Sequence, residues 1–198
     1  MLDEKRTIFK WFAHTANWFI LFVRTYEEQR VAKRLQAKLD PNRYVVFVPT
    51  KDYAFKKNGR TTTRKVPWLS GYVFIAATVV SQECVDTVKP IIYNDSYIYK
   101  LLSNDGVSDN IELSQHDKAI MTTILDENFN ISSIQAIMVG DKVSIIDGVL
   151  ERTGGKVIRV NKHKQTAHIE IFILGRPVVF EIMLEFVTKS EEDESLKE

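Results

Sequence analysis

Between Gly140 and Val187, valine and isoleucine recur at every second position, and turn residues interrupt the run every few residues. The segments GDKVSIIDG, GGKVIRV, HIEIFILG and VVFEI all carry this pattern. A helix buries one face by placing apolar residues three and four apart. A period of two instead predicts short antiparallel strands, here closing into a small barrel. The turns carry Arg152, Lys156, Arg159, Lys162, His163 and Lys164, opposed by Glu151, and Arg176 completes the basic set. A compact β module with a cationic rim has the chemistry to hold nucleic-acid phosphates. A solvated charged rim, common on small barrels, is the plainer alternative.

The preceding part of the chain has a different rhythm. Residues 18–23, WFILFV, form a continuous apolar run that fits a strand buried on both faces. Thr25 with Glu28 three residues on resembles a capping box and places a helix start there. Val31, Leu35 and Leu39 give that helix a buried stripe, and Pro41 ends it. Residues 44–48, YVVFV, supply the next strand. Asn58-Gly59 then predicts a hairpin, because a type I′ turn needs two residues that tolerate positive φ. A strand over residues 72–76 follows, then a helix capped by Ser81, carrying Val85 and Val88 and limited by Pro90. Residues 97–102 read as a short strand or an apolar loop. Ser114 with Asp117 caps a last helix whose inner face is Ile120, Ile124 and Leu125.

This order predicts an α+β domain with an antiparallel or mixed sheet, followed by the barrel. The expected boundaries are an N-terminal extension over 1–16, a first domain over 17–125, a linker over 126–138, a barrel domain over 139–189 and an acidic tail over 190–198. The overall charge is nearly balanced, at 27 basic against 26 acidic residues, but its distribution is not. Residues 53–65 and 152–164 are basic and the tail is acidic, and such segregation matters more for nucleic-acid binding than the total. Cys84 is the single cysteine, so an internal disulfide and a cysteine zinc cluster are excluded, and a buried structural thiol in a reducing cytoplasm is expected. His14, His116, His163 and His168 lack metal-type spacing. No nucleophile elbow or phosphate-cradling glycine loop occurs, so neither an enzyme nor a bound cofactor or metal is expected. No apolar run approaches the ~20 residues of a membrane span.

Three segments, in order, resemble the NusG family of transcription elongation factors. WFILFVRTYEEQRVAKRL is similar to its first strand and helix, and VPTKDYAFKKNGRTTTRKVPWLSGYVFI to its central hairpin and the strand after it. GDKVSIIDGVLERTGGKVIRV resembles the start of its KOW domain. Two further stretches, KLLSNDGVSDNIELSQHD and VNKHKQTAHIEI, resemble the specialised LoaP-type branch of antiterminators. The resemblance implies an NGN domain, a ferredoxin- or RNP-like sandwich, followed by an SH3-like KOW barrel. It departs where the family's Phe-Pro is Leu69-Ser70, and in the KOW turn at Val149, Glu151 and Arg152.

What the resemblance implies about partners divides among three surfaces. Trp18, Phe19, Leu69, Gly71 and Tyr72 would dock on the clamp helices of the RNA polymerase β′ subunit, unless they simply fill the sheet core, Trp18 above all. Arg152, Lys156, Arg159, Lys162, His163, Lys164 and Arg176 would contact a nascent RNA hairpin. Lys56, Lys57, Arg60, Arg64 and Lys65 would lie near upstream or non-template DNA, or form a plain solvated hairpin. The expected function is therefore non-enzymatic antitermination by a monomeric cytoplasmic protein. The alternatives are a housekeeping elongation factor whose KOW domain binds a small-subunit ribosomal protein or a termination factor, and a ribosome-associated KOW protein.

Overall fold

The computed structural model describes residues 16–57, 60–102, 112–139, 142–146 and 148–187. The expected N-terminal extension (save Ala16), the Asn58-Gly59 turn and the acidic tail lie outside them. The chain divides into two compact units between Ile131 and Ser132, with Asp52–Arg64 grouped with the second.

The first unit contains β1 (Asn17–Val23), α1 (Glu28–Gln36), β2 (Tyr44–Phe47), β5 (Tyr72–Ala77), α2 (Ser81–Tyr93), β6 (Ile98–Leu101), α3 (Gln115–Ile124) and β7 (Asn130–Ile131). Its main sheet has the order β2-β5-β1-β6, with β1 antiparallel to both neighbours. The strands β3 (Thr50–Lys57) and β4 (Arg60–Pro67) flank the expected hairpin turn and form a three-stranded sheet with β7.

Alternation along β1 explains its apolar run. Phe19, Leu21 and Val23 join a core with Val31 and Leu35 of α1 and Cys84 and Val88 of α2. Trp18, Ile20 and Phe22 point to the other face, as period two requires. There Phe47 meets the rings of Trp18 at 5.1 Å, Phe74 at 5.6 Å and Phe129 at 3.9 Å. The stripe Val31, Leu35 and Leu39 is buried, as its spacing predicts. Ser114 caps α3 by accepting the Asp117 backbone N–H at 3.0 Å.

Several local expectations are corrected. Thr25 and Glu28 form no capping box: the helix is capped at Glu27 without a side-chain bond, and buried Glu28 reaches elsewhere. Ser81 does not cap α2; its hydroxyl donates to Glu112 instead. Pro90 does not limit α2, which runs on to Tyr93, where the Asn94 side-chain amide Nδ2 donates to the Pro90 carbonyl at 2.8 Å. In each case a partner distant in sequence, or one further helical turn, outweighs the local signal.

The second unit contains β8 (Ile134–Val139), β9 (Lys142–Ile145), a short α4 (Val149–Thr153), β10 (Lys156–Asn161), β11 (Thr166–Ile173) and β12 (Arg176–Phe186). These strands make a nearly closed five-stranded sheet in the order β10-β11-β12-β8-β9, consistent with an SH3-like barrel. Ile169, Ile171 and Ile173 of β11 and Phe180, Ile182 and Leu184 of β12 fill its interior. The barrel is not wholly antiparallel, because β8 pairs parallel to β12, with Ile134 opposite Leu184. The segment expected as a linker, 126–138, holds β7 and most of β8, leaving Ser132 and Ser133 between them. Ile134 and Ala136 alternate with exposed Gln135 and carry that strand, a signal masked by the nearby serines and asparagines.

Candidate functional site

The turn before β5 is built around Gly71, whose φ of 82° lies in the region glycine favours. Its carbonyl accepts the Val23 N–H at 2.8 Å, and its own N–H donates to Glu28 Oε1 at 2.7 Å. A β-carbon at Gly71 would stand 3.4 Å from Phe22 Cε2. Gly71 therefore sets the ends of β1 and β5 and the Phe22 ring against one another.

Of the expected apolar docking residues, Trp18, Phe19 and Leu69 are buried and present no contact surface. The reason is that the main sheet is covered on both faces over most of its length. Tyr72 is half-buried and remains accessible. The structure gathers a different set around it. Phe22, 37% exposed, lies with its ring centroid 5.8 Å from Tyr72 and 5.2 Å from Tyr99, which is 56% exposed. Sequence reasoning missed Phe22 and Tyr99. Period two along WFILFV puts Phe22 with Trp18, but nothing local says that the cover stops short of it.

The cationic residues of the second unit do not form one patch. Lys162, His163 and Lys164 are exposed in the turn from β10 to β11, where the Asn161 side chain accepts the Lys164 N–H at 3.0 Å. Exposed Arg159 lies opposite His168 near that end of β10. Arg176 instead pairs with Ile173 at the far end of β11. Eight residues of strand separate the ends, a span of roughly 25 Å. Lys156 lies opposite Glu170, and Arg152 is on α4. Glu151 is not the sole opposing acid, since strand pairing brings Glu170 and Glu181 beside the basic positions, with Glu181 3.7 Å from His168.

On the hairpin, the exposed Arg64 guanidinium stacks over Tyr53 at 5.7 Å and Phe55 at 5.3 Å, and Lys65 is exposed. The side chains of Lys56, Lys57 and Arg60 lie outside the description. Cys84 is buried, and burial, helped by Glu112 and Glu83, pushes its thiol up to about 12. Buried Lys118 donates to the Ala16 carbonyl at 2.7 Å, and burial lowers its pKa against the pull of Glu112. Among the described residues no group of three or more His, Cys, Asp or Glu is placed to hold a metal ion. No described helix is long and apolar enough to cross a membrane.

An α/β sandwich followed by a small, nearly closed barrel defines a two-unit α+β protein of the NGN-KOW type. The family model described as transcription termination factor nusG matches residues 16–131, more than half of the chain, and the protein belongs to the NusG family of transcription elongation factors. Among solved structures it is similar to Thermotoga maritima NusG, described under domain interaction in that protein. Identity is 18%, covering 85% of this chain and 94% of that one, with a TM-score of 0.50. A second similarity, to the MjSpt4:Spt5 complex, has 13% identity over 82% of this chain and 90% of that one, with a TM-score of 0.26. No curated protein matches the sequence significantly.

Proposed function

We propose that this protein is a specialised, non-enzymatic antitermination factor of the LoaP type. The observation that carries the reading is that one chain presents an exposed aromatic row on one unit and a Lys-His-Lys turn on the other. Phe22, Tyr72 and Tyr99, set by the Gly71 turn, dock on the clamp helices of the polymerase β′ subunit, and aromatic anchors suit such an apolar contact. Holding the clamp closed reduces pausing and termination. Lys162, His163 and Lys164, with Arg159, hold the phosphates of a nascent RNA hairpin, whose A-form helix is read by shape. Two weak tethered sites raise each other's effective concentration. The basic hairpin, with Arg64 and Lys65 and the flanking Lys56, Lys57 and Arg60, lies toward upstream or non-template DNA. The protein works in the cytoplasm, on the nucleoid, as a monomer.

A housekeeping elongation role is favoured by a different observation. Phe172 and Val179 are exposed on β11 and β12, and an apolar surface on the barrel suits a protein partner such as a ribosomal protein or a termination factor. Transcription through a terminator with purified polymerase and the natural leader RNA separates the two. Antitermination predicts readthrough that rises with the protein and falls when the leader hairpin is deleted. Readthrough indifferent to the hairpin supports the housekeeping role. Co-sedimentation with ribosomal subunits and failure to bind polymerase would support a ribosome-associated protein.

A further inference from the structure

The main sheet ends on one side at β2. An edge strand leaves its outward peptide groups open to pairing with another chain. Antiparallel strands use alternate residues for their ladder. Beside β5, Tyr44 and Val46 turn their peptide groups outward, because their partners are Gln36 and Asp40. The sequence here is of a kind that pairs readily. Residues 44–48, YVVFV, are uncharged, β-branched or aromatic, and free of proline, which is the composition of self-associating strands.

The edge is occupied by a side chain rather than a strand. Gln36, the last residue of α1, bridges it with its carboxamide. Its Oε1 accepts the Val46 N–H at 2.7 Å, and its Nε2 donates to the Tyr44 carbonyl at 3.1 Å. In a parallel pair, a residue of the neighbouring strand donates to the carbonyl before the residue opposite it and accepts from the N–H after it. Gln36 makes the same two bonds around Val45, so its amide stands in for one residue of an added strand. The connection from α1 supplies a third contact. The Asp40 carbonyl accepts the Tyr44 N–H at 2.9 Å, while Asp40 Oδ1 accepts the Asn42 N–H at 3.0 Å and fixes that turn. Three consecutive outward groups of β2 are thereby satisfied within the chain. A groove of about 430 Å³ beside them, lined by Ala32, Ala37, Val46 and Val48, has room for the side chains of an incoming strand.

We propose that Gln36 is an edge clasp: by occupying the pairing groups of Tyr44 and Val46, it closes β2 to a second copy of this chain. A second copy is the competing partner because the open edge is self-complementary. Two β2 strands brought together antiparallel about Val46 would exchange the Val46 N–H and C=O reciprocally, as a two-fold axis requires. Their facing residues, drawn from YVVFV, carry no like charges to keep them apart. The proposal does not rest on the antitermination reading, since the clasp operates whichever partners the two units take.

The test compares full-length wild type with Gln36→Leu, which keeps the helix propensity but has neither donor nor acceptor. Sedimentation velocity across the micromolar range reads association, and amide hydrogen exchange reads the Val46 N–H. Wild type should stay monomeric, with the Val46 amide protected at every concentration. Gln36→Leu should form a dimer as concentration rises. Its Val46 amide should exchange about fivefold to tenfold faster than in wild type when dilute, and regain protection in the dimer. Gln36→Leu/Val45→Lys, with a charge on the edge strand, should return to monomer. Circular dichroism and urea melts verify that the variants are folded. A folded Gln36→Leu protein that stays monomeric overturns the proposal. So does association that persists in a folded double variant, because the contact then lies elsewhere. If the double variant unfolds, the Val46 protection in the Gln36→Leu dimer decides alone. A Val46 amide that exchanges freely in wild type overturns the clasp. A Gln36→Leu chain that does not fold overturns it too, since the residue then serves folding rather than the edge.

Discussion

Glu28 Oε1 accepts the Gly71 backbone N–H at 2.7 Å, joining the first turn of α1 to the entry of β5 across 43 residues of sequence. Glu28 is buried, so its carboxylate depends on this bond more than an exposed acid would. Through Gly71 the contact also sets the Phe22 ring, and hence the aromatic row proposed to meet the polymerase.

Glu28→Ala should therefore destabilise the protein by about 2 kcal/mol, since it strands a buried N–H that had bonded a charged group. Glu28→Gln keeps a carbonyl acceptor and should cost less. Urea denaturation of the two variants checks the order. Equal losses would show that the bond to Gly71 is not what makes Glu28 matter.

Phe22 and Trp18 should separate docking from folding. Phe22→Ala or Tyr99→Ala should leave stability within about 1 kcal/mol, because these rings are already partly solvated, yet weaken polymerase binding about tenfold. Trp18→Ala empties a buried aromatic site and should cost about 3–5 kcal/mol. Polymerase pull-down combined with thermal melts reads both effects. Wild-type polymerase affinity in a folded Phe22→Ala/Tyr99→Ala protein would remove the aromatic row as the docking face.

Charge reversal on the barrel should depend on position. Lys162→Glu/Lys164→Glu should weaken hairpin RNA binding and flatten its salt dependence. Arg176→Glu, at the other end of β11, should change it little. An equal effect from Arg176→Glu would mean that the RNA covers the whole outer face rather than one end.

Cys84 gives a pH prediction. Its folded thiol is pushed from 9.0 up to about 12, first by burial and then by Glu112 and Glu83. Above pH 9 the unfolded chain releases this proton while the folded chain keeps it. The stabilising difference is therefore full below 9 and is lost as pH rises through about 12. Cys84→Ala should flatten that part of the stability profile, as measured by denaturant titrations between pH 8.5 and 11 (roughly the accessible window for this linkage). At neutral pH, iodoacetamide should label Cys84 at the rate of unfolding; rapid labelling of folded protein would contradict the burial.

Much of the architecture is legible locally. Period two over Gly140–Val187 specifies strands, the Val31, Leu35 and Leu39 stripe specifies a helix against a sheet, and Ser114 with Asp117 marks a helix start. These signals are readable because each depends on residues within a turn or two of one another. The parallel pairing of β8 with β12, the path of α2 through Pro90 and the bond of Glu28 to a distant glycine are not of that kind.

The sequence by itself determined which residues alternate, which stripes are apolar and where the cations are concentrated. Tertiary structure alone decided that Trp18 is covered while Phe22 is not, that Arg176 is parted from Lys162 and Lys164, and that three arginines meet on Tyr97. The physical reason is that periodicity assigns a side chain to a face, whereas exposure and charge clustering depend on which distant segment lies over that face.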